Sequence, residues 1–130
     1  MIPQEVKRIA VSYFQKQNLP IFVNIKNKEV EISSSKDFNE PFESDVEDGL
    51  SLTLTPIRVI DDSGNVALGF RAADAISLGK YKGYLTKLLN ELYNHLRSDY
   101  YFDELILTLD SNENPAAWKN IAKKLGVQLL

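Results

Sequence analysis

The chain has 130 residues, no cysteine, one histidine and 18 acidic against 15 basic side chains, for a formal net charge of -3. That composition excludes disulfides, thiolate zinc sites and a cysteine nucleophile, and leaves only carboxylate sites for a hard cation. It also gives no general attraction for nucleic acid, whose phosphates require a surplus of Lys and Arg.

With 44% hydrophobic and 25% charged residues, the chain reads as one globular domain, residues 1–130, large enough to bury a core. Pro3 suits a first helical position, and Val6, Ile9, Ala10, Tyr13 and Phe14 follow at helical spacing. This predicts an amphipathic helix ending near Asn18, because Pro20 disfavours helical backbone at Leu19. The opening residues lack the apolar core of a signal peptide, and no segment approaches the roughly 20 apolar residues that cross a bilayer. Cytoplasmic residence, away from membranes, is the expectation.

Residues 21–25 and 29–33 are short apolar runs separated by Lys26, Asn27 and Lys28, with Val30 and Ile32 alternating against Glu29 and Glu31, which predicts a hairpin. In residues 34–49 the composition shifts. Asp37, Glu40, Glu43, Asp45, Glu47 and Asp48 face only Lys36, so this is an exposed acidic loop, anchored by Phe38 and Phe42. Its carboxylates do not follow the calcium-loop spacing; a solvated segment or a protein-docking surface is the reading.

Leu50, Leu52 and Leu54 alternate with Ser51, Thr53 and Thr55, the period of a half-buried strand, which Pro56 bends or places at an edge. Residues 61–65, D-D-S-G-N, make a turn, and a second strand runs back from Val66 to about Ala72. Tyr84, Leu85, Leu88, Leu89, Leu92 and Leu96 form the clearest helical stripe. The near-continuous apolar run Leu105, Ile106, Leu107 and Leu109 predicts a central strand covered on both faces. A third helix opens at Pro115 and stops at Gly126, and residues 127–130 form a short last strand.

Gly79, Lys80, Tyr81, Lys82 and Gly83 stand where a strand gives way to the second helix. Glycines let an anionic ligand approach the backbone, the unpaired amides of a helix start point at it, and two lysines add charge. The plain alternative is that Gly79 turns the chain and both lysines are solvated. The spacing matches neither the P-loop nor the dinucleotide pattern.

On these residues, and on D-E-L-I-L-T-L-D followed by N-P-A-A and a helix closing in L-G, the last 70 or so residues resemble the GNAT acetyltransferase superfamily. The resemblance implies acetyl-CoA as cofactor, bound by Gly79, Lys80, Tyr81, Lys82, Gly83 and Asn114. The family's pyrophosphate loop reads Arg or Gln, two residues, Gly, one residue, Gly or Ala; here only Gly83 matches, with Leu78 and Tyr81 at the other two positions. The tyrosine that protonates the departing thiolate in that family is also missing, because the corresponding positions hold Ile121 or Ala122. The resemblance makes Asp74 the nearest candidate base, although an ordinary polar residue at a strand end fits it as well. Tyr81 and Tyr84 are candidate substitutes for the acid, Tyr84 lying in the apolar stripe of its helix.

His95 has no partner motif and reads as a packed or surface residue. Trp118 and the cluster Tyr100 and Tyr101 offer rings to stack on a ligand's base or ring, although an indole on the apolar face of a helix reads as core. Lys119, Lys123 and Lys124 would join Lys80, Lys82 and Arg71 in one basic face if loop and helix are neighbours. The expected fold is a single α/β (α+β) domain with a mixed, mainly antiparallel sheet of about six strands and three helices packed on it. Two functions follow: an acyl-CoA-binding protein or N-acetyltransferase, or a protein-binding adaptor using the acidic loop 37–48 and the basic face.

Overall fold

The alternating and helical spacings resolve into nine main elements in the computed structural model, which describes residues 1–36 and 47–130. In chain order these are α1 Pro3–Lys16, β1 Phe22–Lys26, β2 Glu29–Ser33, β3 Gly49–Ile60, β4 Val66–Leu78, α2 Tyr84–Asp99, β5 Glu104–Leu109, α3 Pro115–Leu125 and β6 Gln128–Leu129. The six strands form one sheet in sequence order, antiparallel from β1 to β4 and parallel from β4 to β6. The chain is therefore a single α/β domain with a mixed, mainly antiparallel sheet and three helices.

Strand pairing sorts the side chains into two faces. Val30, Ile32, Leu52, Leu54, Leu68, Phe70, Ala72, Leu105 and Leu107 share one face, and all belong to the cluster that also contains Val6, Phe14, Leu88, Leu92, Trp118 and Leu125 from the three helices. The helices thus lie together on one side. Right-handed crossovers from β4 to β5 and from β5 to β6 progress in the same direction across the sheet and require this for α2 and α3. On the opposite side Glu29, Glu31, Thr53, Thr55, Ile57, Gly69 and Arg71 line up across the strands, and no helix covers them among the described residues.

Helix α2 supplies Leu85, Leu88, Leu89, Leu92, Tyr93 and Leu96 to the core, each full burial worth about 1.5 to 3 kcal/mol of transfer free energy. The ring of Tyr93 meets Phe70 edge-on at 5.3 Å between centroids, and its hydroxyl donates to the carbonyl of Ile106 at 2.5 Å. A Phe there would leave that carbonyl without this donor. At the far end of the helix the Arg97 guanidinium donates to the carbonyl of Leu125, so the C-termini of α2 and α3 meet at one end of the domain.

One expectation about the strands needs correction. The strand that begins at Val66 does not stop near Ala72 but continues to Leu78. Of the two expectations for Pro56, a bend or an edge, the edge holds: pairing with β4 continues through Pro56↔Phe70, and the proline lies past the last β2 pair, Val30↔Leu54, where a missing donor costs no ladder bond on that side. β5 is buried on both faces as expected: Leu105 and Leu107 enter the shared core and Ile106, 3% exposed, lies on the other face, although among the described residues the helices lie on the first face only. Most of the acidic loop, including Asp37, Glu40, Glu43, Asp45, Phe38 and Phe42, lies outside the described residues.

Candidate functional site

The continuation of β4 creates the most distinctive geometry in the molecule. β4 and β5 pair from Ala67↔Glu104 to Ala72↔Leu109, and the amide of Asp110 closes the ladder on the Ala72 carbonyl at 2.9 Å. Beyond that point β4 runs on for six residues without β5. Between Thr53↔Ala73 and Ser51↔Ile76 the β4 side holds one extra residue, a bulge, and Asp74 within it has a φ of 53°. An extra residue inverts the strand's alternation. The Ala72 carbonyl faces β5, and after the bulge it is the amide of Ala75 that faces the same side, donating to the Glu113 carboxylate at 2.7 Å.

This parting of strands opens a cavity of ≈ 760 Å³ on the helix-free face. Its floor includes Ser51, Thr53 and Thr55 of β3, with Glu29 and Glu31 on one flank and Asp74, Asp110 and Glu113 on the other. Five carboxylates thus share the lining with one guanidinium, that of Arg71, which is itself paired with Asp110 at 2.8 Å. The field inside the cleft is negative, and a cleft with low-dielectric walls concentrates it. Among the described residues no group of three or more potential ligand side chains converges as a metal site would require.

The lysine loop lies at the end of β4, just beyond this cleft. Gly79–Tyr81 form a 3-10 turn, and the Lys80 amide donates to Asp48 Oδ1 at 2.8 Å. The fit is close enough that a side chain on Gly79, whose φ is 59°, would begin 1.8 Å from that same oxygen. A carboxylate of the chain's own acidic loop therefore holds one of the amides the sequence offered to an anionic ligand. Tyr81 is buried, its hydroxyl donating to the Pro20 carbonyl at 2.6 Å; burial, and next the charge of Asp48, push it above its usual range. It is a structural anchor, not a free acid.

Lys80 and Lys82 are exposed, and the Lys80 ammonium lies 5.7 Å from the Tyr81 ring. Gly83 takes the left-handed cap position before α2, with open space where a side chain would be. Asn114 is occupied locally: its side chain caps α3 by accepting from the amide of Ala116 at 3.0 Å. Among the described residues no hydrogen bond or ion pair joins it to the five loop residues.

The other candidates divide plainly. Asp74 is exposed in the bulge and lines the cleft, so it is not at a strand end as expected. Tyr84 is half-buried, its ring 6.0 Å from that of Phe14, with the Lys87 ammonium 4.5 Å above it. Trp118 is core, and His95 is partly exposed beside Asp99, 3.6 Å away. Tyr100 donates to Glu5 at 2.8 Å, whereas Tyr101 is exposed and bonds Asp103.

The single basic face is not assembled. Arg71 sits in the acidic cleft. α2 begins at the carboxyl end of β4 and α3 at the carboxyl end of the parallel β5, so Lys123 and Lys124 in the last turn of α3 lie at the opposite end of the domain from Lys80 and Lys82.

Sequence reasoning passed over the cleft residues Glu29, Glu31, Asp110 and Glu113. The alternation of Glu29 and Glu31 against Val30 and Ile32 already placed them on the face away from the core. Nothing local announced that Asp110 and Glu113, some 80 residues later, would stand across from them.

Neither a family model nor a curated protein nor a solved structure matches the chain. The function rests on the geometry alone.

Proposed function

We propose that this chain is a binding domain without chemistry of its own, whose cleft beside β4 and β5 takes a cationic ligand. One observation carries the reading: five carboxylates line a single cavity in which the only guanidinium is already paired. A positive group entering there replaces water with Glu29, Glu31, Asp74 or Glu113, which line the same cavity as the hydroxyl-bearing β3 residues. The positions matching the acid of the acetyltransferase superfamily are Ile121 and Ala122, half-buried and buried in α3, and the tyrosine nearest the lysine loop is tied to Pro20. These features support binding over group transfer.

The test is calorimetric titration with spermidine at low and high salt. Binding in the cleft predicts saturable uptake that weakens as salt screens the charges, and that falls in a Glu31→Gln, Asp74→Asn double variant. No heat at millimolar spermidine removes the reading.

A second reading keeps the resemblance to the acetyltransferases. β4 outlasts β5 and delivers the chain to two exposed lysines at the start of α2, and this supports a donor such as acetyl-CoA reaching the gap from the lysine side while an amine occupies the acidic side. Acetyl-CoA would then raise the melting temperature, since a ligand at about 100 times its dissociation constant adds about 2.7 kcal/mol.

A further inference from the structure

The ligand class can be narrowed from the backbone that borders the cleft. We infer that the open sheet face binds an extended, basic protein segment, which adds as a strand to the free side of β4 after Ala72. This rests on the cationic-ligand reading of the same cleft and specifies what carries the charge.

On its β3 side this part of β4 is fully paired, through Ser51↔Ile76, Leu50↔Ser77 and Gly49↔Leu78. On its other side β5 has ended, so among the described residues no strand covers it. The bulge at Asp74 sets which groups point there. Ala75 presents its amide, now held by Glu113, and strand alternation turns the N–H and C=O of Ser77 the same way. A row of main-chain donors and acceptors left open in this way is a template for another strand, and strand addition draws affinity from the main chain and selectivity from alternate side chains.

Charge complementarity identifies the occupant. Along an added strand every second side chain projects to the helix-free face, where Asp74, Asp110 and Glu113 border the gap and Glu29 and Glu31 lie beyond β3. Lys or Arg at those positions meets carboxylates; Asp or Glu meets repulsion. The Glu113 side chain would exchange the Ala75 amide for a cation of the incoming segment, and the amide would pair with the segment's carbonyl.

The experiment uses the full chain and a labelled eight-residue peptide of alternating Lys and Thr, followed by fluorescence anisotropy. The expected result is saturable binding that is absent for the Glu-Thr counterpart and falls about tenfold or more when alternate peptide nitrogens are methylated, which removes two ladder bonds of about 1 kcal/mol each. Equal affinity of methylated and unmethylated Lys-Thr peptides overturns strand addition, while leaving a cation-binding cleft in place. Spermidine uptake with no peptide uptake overturns it in favour of a small ligand. A stable dimer by light scattering, with no peptide uptake, overturns it in favour of a second copy of the chain on this face. If neither spermidine nor the peptide binds, the cleft reading fails together with it.

Discussion

The amide of Ala75 and the carboxylate of Glu113 meet at 2.7 Å across a gap where β4 has outrun its neighbour. The contact substitutes for a missing ladder bond: a side chain from the loop before α3 takes over what β5 would have supplied. Because Ala75 is partly buried, removing the acceptor leaves a donor poorly satisfied. Glu113→Ala should therefore cost about 1 to 2 kcal/mol, read as a lower denaturation midpoint with an unchanged slope. Glu113→Gln, which keeps an acceptor oxygen, should recover most of the loss. Equal destabilisation by Ala and Gln would mean that charge, not the hydrogen bond, closes the gap.

Gly69 tests the pairing that ends at this gap. A side chain there would begin 1.7 Å from the backbone oxygen of Ile106, and that oxygen also accepts the Tyr93 hydroxyl. Neither backbone can retreat without disturbing the β4–β5 ladder, so Gly69→Ala should cost more than about 2 kcal/mol, as overpacking against an unyielding wall does. A variant that unfolds at the parental denaturant concentration would refute this close approach.

Helix α2 was readable because Leu85, Leu88, Leu89, Leu92 and Leu96 of its stripe are the residues it buries, with Tyr93 instead of Tyr84 as the sixth, and α3 because Pro115 and Gly126 punctuate both its ends. The second half of β4 was not readable. The extra residue at Asp74 inverts the alternation, so Ala73 and Ile76 share a face although they are three apart, and a period-two reading stops where the bulge begins. The site was legible only at its rim. Residues 79–83 sit where a strand hands over to a helix, as their composition announced, but the Asp48 contact joins residues 32 apart. The acidic cleft depends on β2 and the loop after β5 being brought to either side of β3 and β4, and no local pattern encodes that.

The tyrosines set the alkaline limit of the fold. Tyr81, Tyr93 and Tyr100 are each held above the ordinary 10.0, first by burial, with Asp48 adding to this at Tyr81 and Glu5 at Tyr100. Their hydroxyls donate to Pro20, Ile106 and Glu5, so the protonated forms are native. A raised folded value means that the stabilisation is complete below the unfolded value and is lost as pH rises through the folded one. Melting temperature should thus hold until about pH 10 and fall above it, with tyrosinate absorbance appearing alongside unfolding. Tyrosinate absorbance that develops fully before any unfolding would contradict it.

At the acid end Asp61 behaves in the opposite sense. Its carboxylate accepts from the amides of Asn65 and Ser63 at 2.9 Å and from the Asn65 side chain at 3.1 Å, and the Asn65 backbone bond is the largest cause holding it below the ordinary 3.8. Its contribution is present above 3.8 and is lost as pH falls through the depressed folded value. Protection of the amides in the turn between β3 and β4, measured against the intrinsic exchange rate at each pH, should fall over that range in the parent chain. An Asp61→Ala variant should show fast exchange there at neutral pH, and slow exchange in it would remove Asp61 as the group that holds the turn.

Asp48 separates the two functional readings. Its carboxylate occupies the Lys80 amide, the position an anionic ligand would need, in a loop where Gly79 leaves no further room. For a cation-binding domain this is a permanent structural contact, so acetyl-CoA at millimolar concentration should leave the melting temperature unchanged in the parent and in Asp48→Ala alike. If Asp48 instead masks an anion site, removing it frees an amide and a negative charge together. Acetyl-CoA would then stabilise Asp48→Ala more than the parent, and a further Lys80→Glu, Lys82→Glu change would abolish the gain. Thermal shift on these three proteins decides between them, because the cation-binding cleft contains none of the substituted residues.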